Sequence, residues 1–250
     1  MASVERTAYP RFKRSPLAKE LDTLYTPTDE ELSFALKFAR KPRLRFGLLV
    51  LLKSFQRLGY FPAIGDVPPS VIQHIQTASD LGAVTLPTYE ESRTLYRHHQ
   101  AIRERLGVSA WGDHGLRIAG EAMSTAAKVM DNPADLINVA IEELVHQCIE
   151  LPAFSTLDRL SRRIRTLVNG RFFTAVMDRL SVTEREQLDA LLEIGTSPQK
   201  KSLFFTLKQL PKRSSLEHLQ DLLDHIVKLS DTVCADHHLT GIPYAKIKHF

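Results

Sequence analysis

Residues 150–169, ELPAFSTLDRLSRRIRTLVN, decide how the rest of the chain is read. A long apolar-periodic segment ends at Leu151. Pro152 fixes its own φ and pushes Leu151 out of the helical region, and Phe154 completes a rigid corner. Ser155 then offers a side-chain oxygen to the open amides of a second helix, and Asp158 stands where a capping-box acid belongs. In that helix Leu157, Leu160, Ile164, Leu167 and Val168 share one face. At about 100° per residue, Arg159, Arg162 and Thr166 point the opposite way, with Arg163 and Arg165 on the flanks. A helix, a tight corner and an arginine-faced helix make a helix-turn-helix-like segment over 133–169. That pattern suits a groove of double-stranded DNA, with the leucines docked on the domain. A solvated face is the ordinary explanation of helix arginines. Solvated faces mix their signs, however, whereas Asp158 is the sole acid here before Asp178.

The charge distribution widens the same reading. Over the whole chain the net charge is only +4. Residues 1–60 carry 12 Lys+Arg against 6 Asp+Glu, and residues 61–154 reverse this with 6 against 12. Residues 155–179 carry 6 against 2, and residues 180–250 balance at 9 against 9. Two basic blocks around an acidic one imply two anion-facing surfaces rather than a uniformly sticky protein. Hydrophobic content of 43% and charged content of 25% are those of a soluble globular protein. Cys148 and Cys234 lie far apart in apolar contexts, which is no disulfide framework and fits a reducing cytosol. Residues 1–15 lack the apolar core of a signal peptide, and the run Phe46–Leu52 is too short to cross a bilayer.

Taken in order, the chain opens with a basic polar arm, expected to be disordered unless it lies along DNA. Thr28 caps the first firm helix, with Glu31 in the capping-box position and Leu32, Ala35, Leu36 and Ala39 inward. A second helix, 43–58, turns Leu44, Leu48, Leu51, Leu52 and Phe55 inward and closes on Gly59. Arg43, Arg45, Lys53 and Arg57 are left at its start and outer face. Pro68 and Pro69 open a third helix whose Gln73, His74, Gln76 and Thr77 face out. Three helices with an amide-rich third one resemble trihelical DNA readers, in which Gln pairs with adenine edges. Further helices are expected at 89–106, 116–130, 133–151, 170–180, 183–194 (capped by Thr183), 198–209 and 214–231. No alternation supports a strand.

The fold is therefore all-α: two successive trihelical or helix-turn-helix-like domains, 1–107 and 108–182, followed by a helical extension, 183–250. No nucleotide-binding or hydrolytic motif is present: GxxxxGK[ST], GxGxxG, HExxH and GxSxG are all missing. The adjacent pairs His98-His99 and His237-His238 diverge by about 100° on a helix and face no metal jointly. Cys234, Asp236, His237 and His238 are the nearest approach to a ligand set. No catalytic residue, metal or cofactor is assigned.

Four stretches carry a family resemblance: LRFGLLVLLKSFQRLGYFP at 44–62, DVPPSVIQHI at 66–75, HHQAIRERLG at 98–107 and ELPAFSTLDRL at 150–160. In this order, over nearly the whole chain, they resemble the N-terminal region of Tn-three family transposases, enzymes of replicative, cointegrate-forming bacterial transposons. The resemblance implies helical domains that bind terminal inverted repeats. The RNase H-like catalytic domain, with its metal-binding acids, would lie far downstream. It also implies a cytoplasmic, nucleoid-associated protein with no membrane partner, and leaves room for a homodimer formed through a longer chain.

On this reading Arg159, Arg162, Arg163 and Thr166 form the second reader, with Arg165 on phosphate. Ser155 and Thr156 present hydroxyl and amides to a phosphate at the helix start. Gln73, His74, Gln76 and Thr77 form the first reader, backed by Lys41, Arg43, Arg45 and Arg57 on phosphates. The main alternative is a helical protein–protein interaction or dimerisation module without DNA specificity. A metal-dependent enzyme built on the histidines is third.

Overall fold

A helix that the sequence makes apolar on nearly every side has to be packed on every side. The computed structural model describes residues 3–82, 84–89, 92–193, 202–208, 215–231 and 236–247. In it that helix is α3 (Pro42–Leu58), and Phe46, Leu48, Leu49, Val50, Leu51, Leu52, Phe55 and Leu58 are all buried. Packed against α3 are α1 (Ala18–Tyr25), α2 (Asp29–Phe38), α4 (Pro69–Ala78) and α5 (Ser92–Leu106). After these come the paired α6 (Asp113–Ala126) and α7 (Pro133–His146), then α8 (Phe154–Met177). Among the described residues there is no strand; a parallel bridge joins Ser109 and Ile149. The fold is all-α, as the periodicity predicts.

Local chemistry explains the element ends. Thr28 accepts from the Glu31 amide while the Glu31 carboxylate accepts from the Thr28 amide, the predicted capping box. Gly59 closes α3 at φ 71°, a left-handed conformation that glycine adopts without a Cβ penalty. Gly47, inside α3, lets the 84–89 loop lie directly on the helix. A Cβ there would overlap the Tyr89 hydroxyl and stand 2.5 Å from Pro87 Cγ.

Several expectations are corrected. Lys53 is not on an outer face: it is buried in an ion pair 3.2 Å from the buried Glu31, which also accepts from Gln56 Nε2 at 2.7 Å. Burial raises the Glu31 pKa, but the Thr28 amide, Gln56 and Lys53 together outweigh it and hold the carboxyl below its usual range. On α2 it is Phe34 that is buried, whereas Leu36 is 58% exposed. From Ser3 on, the N-terminal arm is tied to the rest of the first unit. The Ala8 amide donates to Asn138 Oδ1, and the Tyr60 hydroxyl donates to the Pro10 carbonyl. Residues 18–25, to which the sequence reading assigns no element, form α1.

The chain forms two compact units, Met1–Arg165 and Thr166–Phe250. The boundary expected at 107/108 therefore falls inside the first unit, for a physical reason. The Leu151 amide donates to the Gly59 carbonyl at 2.8 Å, and Arg103 on α5 pairs with Glu150 at 2.8 Å. The Ser109 amide donates to the Cys148 carbonyl, and the Glu150 amide donates to the Ser109 carbonyl, each at 2.9 Å. In the second unit α9 (Val182–Leu192) begins at Ser181, which forms a capping box with Glu184, rather than at Thr183. The described remainder holds α10 (Leu203–Leu207), α11 (Leu216–Asp231) and α12 (Tyr244–Ile247). Lys246 is buried and donates to Asn169 Oδ1 at 2.9 Å. The rest of the helix expected at 198–209, and Cys234, lie outside the described residues.

Candidate nucleic-acid interface

The corner before α8 is longer than predicted. Pro152 was expected to end a helix at Leu151, but α7 stops at His146 and Cys148 takes φ 51°. Ile149 then bridges Ser109, and residues 150–153 carry no regular element. α8 starts at Phe154, so Ser155 is already inside the first turn, exposed, and is not the capping residue. Thr156 is half-buried, and its amide donates to the Ala153 carbonyl at 2.9 Å. α8 then continues through Gly170 to Met177, absorbing the helix expected at 170–180. Glycine lowers helix propensity by about 1 kcal/mol but obstructs nothing in the hydrogen-bond ladder.

The buried face of α8 is turned slightly from the predicted one. Leu157, Asp158, Ser161, Ile164 and Val168 are buried, Leu160 is half-buried and Leu167 is 56% exposed. The outermost residues are consequently Arg159, Arg163 and Thr166. Arg162 is drawn aside to Asp158, 2.7 Å away. Arg165 reaches the Asp131 carbonyl at 3.4 Å and its carboxylate at 3.8 Å. Arg159 and Arg163, one helical turn apart, make no ion pair with any described carboxylate.

The other predicted reader is partly committed to the fold. On α4, Gln76 Nε2 donates to the carbonyls of Gly82 and Val84, holding the loop that follows. His74 Nε2 bonds Thr26 Oγ1 at 2.8 Å, and its Nδ1 lies 3.9 Å from Asp22. Gln73 and Thr77 are exposed, with the Thr77 hydroxyl donating to the Gln73 carbonyl. Among the supporting cations, Arg43 donates to the Leu86 carbonyl through two nitrogens and Arg45 to the Arg40 carbonyl. Lys41 is exposed at the start of α3. Arg57 joins Arg11, Lys13 and Arg14 around an open cleft of about 580 Å³ beneath the arm. Glu5 answers Arg11 at 3.0 Å, and Glu20 answers Lys13.

The histidines serve packing. The His98 ring accepts or donates at Nδ1 to the Tyr89 hydroxyl, 2.7 Å away. His99 stacks on Phe61 with centroids 3.7 Å apart, and its buried Nε2 has no hydrogen-bond partner. Burial, helped by Arg97 for His98 and by Arg103 for His99, lowers both to about 4. In the second unit His238 pairs with Glu184 at 2.9 Å. Among the described residues no three His, Cys, Asp or Glu side chains gather as a metal site. No described helix is long and apolar enough to cross a membrane.

One surface had no weight in the sequence reading. Phe38, Arg40 and Lys41 at the α2–α3 turn face Tyr96 and Arg97 on α5 across a cleft of about 420 Å³. Aromatic residues next to basic ones in both segments were the available signal. Their juxtaposition, some 56 positions apart between Arg40 and Tyr96, was not legible in sequence.

Comparison with known proteins agrees with the resemblance read from the sequence. Over 214 residues the chain is 27% identical to the transposase for transposon Tn501 of Pseudomonas aeruginosa, covering 84% of this chain and 21% of that protein. It is 24% identical over 209 residues to the transposase for transposon Tn1546 of Enterococcus faecium, covering 82% and 21%. For the transposase for transposon Tn21 of Escherichia coli the figures are 25% over 207 residues, 82% and 20%. The chain thus spans about a fifth of the length of these relatives, matching their N-terminal part. A family model described as a domain of unknown function, DUF4158, matches residues 1–164, nearly the same span as the first compact unit, and the chain belongs to that family.

Proposed function

We propose that this chain is a non-catalytic DNA-binding module that recognises the terminal inverted repeats of a transposon for a transposase. The observation that carries the reading is the pair Arg159 and Arg163. They are exposed one turn apart on α8 without carboxylate partners, while Arg162 and Arg165 are anchored to the fold. Two guanidiniums at that spacing enter one major groove together, and each fits a guanine edge bidentately. The relatives being transposases supports the choice of DNA over an acidic protein surface. Gln73, Thr77 and Lys41 form the second contact area, and Ser155, Thr156 and Thr166 lie along α8 for phosphate contacts.

A second reading, a protein–protein interaction module, is favoured by α11, which exposes Leu219, Leu223, Ile226 and Val227 along one side. Binding of the intact chain to a labelled duplex carrying the terminal inverted repeat, and to a scrambled duplex, decides between them. The DNA reader prefers the repeat by roughly tenfold or more and loses affinity steeply with salt. Equal, weak and salt-insensitive binding to both duplexes overturns the proposal in favour of the interaction module.

A further inference from the structure

Apart from Lys41, the residues of the cleft between the α2–α3 turn and α5 have no part in the duplex-reading proposal. Large aromatic side chains are normally covered, yet Tyr96 is 66% exposed and Phe38 49% exposed, and both line this one cleft. The rim carries three cations, Arg40, Lys41 and Arg97, all exposed. Among the described residues the one acid in the lining is Glu104, and Gln100 Nε2 already donates to it at 2.7 Å. The floor is apolar and fixed: Ala39 and Ala101 are buried there, and the buried His98 is held by Tyr89. At about 420 Å³ the cleft is of the size that encloses a small molecule.

An exposed aromatic face beside several cations does not suit the paired bases of a duplex, whose faces are stacked on one another. It suits a base that is out of the stack, with its phosphate on the rim. We infer that this cleft binds an unpaired nucleotide, the base lying on Tyr96 and Phe38 and the phosphate on Arg40, Lys41 and Arg97. The shared chemistry is a nucleoside phosphate, which reaches the cleft either as a free nucleotide or as part of a single strand. This goes beyond end recognition, and it involves neither Arg159 nor Arg163.

The test titrates the intact chain into a labelled oligothymidine of about ten nucleotides, with unlabelled dTMP as competitor. The oligonucleotide is expected to bind. Tyr96→Ala should weaken it roughly fivefold or more, while Tyr96→Phe, which keeps the ring, leaves it unchanged. Arg159→Ala and Arg163→Ala should leave it unchanged as well, and Tyr96→Ala should leave duplex affinity unchanged. Displacement by dTMP identifies a free nucleotide as the ligand; displacement only by unlabelled oligonucleotide identifies a strand. Failure to bind either probe overturns the inference. So does loss in Tyr96→Ala matched by equal loss in Tyr96→Phe, or binding abolished by Lys41→Glu yet indifferent to Tyr96→Ala. Circular dichroism melts of each variant separate loss of binding from loss of fold. Loss of duplex preference with oligonucleotide binding intact would sink the proposed function and leave this inference standing.

Discussion

The Tyr9 hydroxyl donates a 2.8 Å hydrogen bond to the carbonyl of Pro152, 143 residues further along the chain. The same ring stacks on Tyr60 at 5.2 Å between centroids and meets the edge of Phe154 at 5.5 Å. The basic arm is thereby a strut under the corner from which α8 departs. Burial accordingly pushes the Tyr9 phenol well above its usual range.

Removing the strut should loosen the first unit. Tyr9→Phe deletes one buried hydrogen bond and should cost about 0.5–1.5 kcal/mol. Tyr9→Ala also leaves a cavity beside Tyr60 and Phe154 and should cost about 3–5 kcal/mol. Trp111, the single tryptophan, lies in the first unit and reports its urea unfolding by fluorescence. Equal midpoints for the two variants would show that the ring carries no packing load.

The arginines of α8 should separate by their anchoring. Arg163→Ala and Arg159→Ala are each expected to lose about 1–3 kcal/mol on the cognate repeat and much less on scrambled DNA. Arg162→Ala should lose less, since its guanidinium is already held by Asp158. Arg165→Ala should weaken both duplexes alike but by less than one phosphate contact, since Asp131 already holds its guanidinium. Anisotropy on both duplexes gives all of these, and the reader assignment fails if Arg162→Ala proves the most selective loss.

For stability the decisive leucine on α8 is Leu157. It is fully buried, so Leu157→Ala should cost about 2–5 kcal/mol, whereas half-buried Leu160→Ala should cost distinctly less. Chemical denaturation of the pair gives the order.

The buried pair of Glu31 and Lys53 should be asymmetric under mutation. Lys53→Met strands a carboxylate in the core and is expected to cost about 3–5 kcal/mol. Adding Glu31→Gln, which removes the charge but keeps the acceptor for the Thr28 amide, should recover part of that loss. A double variant as unstable as the single would mean that the charge pair itself is worth little.

Acid should destabilise the first unit through its neutral histidines. His98 and His99 fall from 6.5 to about 4 in the fold, so the unfolded chain takes up protons between those values that the native protein refuses. Their contribution is complete above about pH 6.5 and is lost as pH falls toward 4. The melting temperature should therefore drop across that window. His99→Phe, which keeps the stack on Phe61 and removes an unbonded nitrogen, should flatten the drop. An unchanged profile in that variant would put the proton uptake elsewhere.

Helices were legible wherever periodicity and chain chemistry agreed. Thr28 with Glu31 announced one start, Gly59 one end, and the apolar run of α3 the centre of the core. What could not be read was every relation depending on a distant partner. Lys53 looks solvated until Glu31 is placed opposite it. Tyr9 looks like part of a loose arm until Pro152, Tyr60 and Phe154 surround it. The arginine face was recognisable from spacing alone. Which arginines point outward depended on Ser161 being buried, a small polar residue that donates to the Asp158 carbonyl and packs inward where periodicity favoured Leu160.

The absent side chain at Gly47 makes that site a fragile position in the first unit. The α3 backbone there is ordinary helix, so alanine would satisfy it locally, yet the added methyl would collide with the fixed ring of Pro87 and with the Tyr89 hydroxyl. Tyr89 sits at φ 45° and is the partner of His98. One carbon atom would thus evict the loop, release the histidine and unseat the start of α5, so a substitution that helix propensity rates as an improvement would disable this half of the molecule.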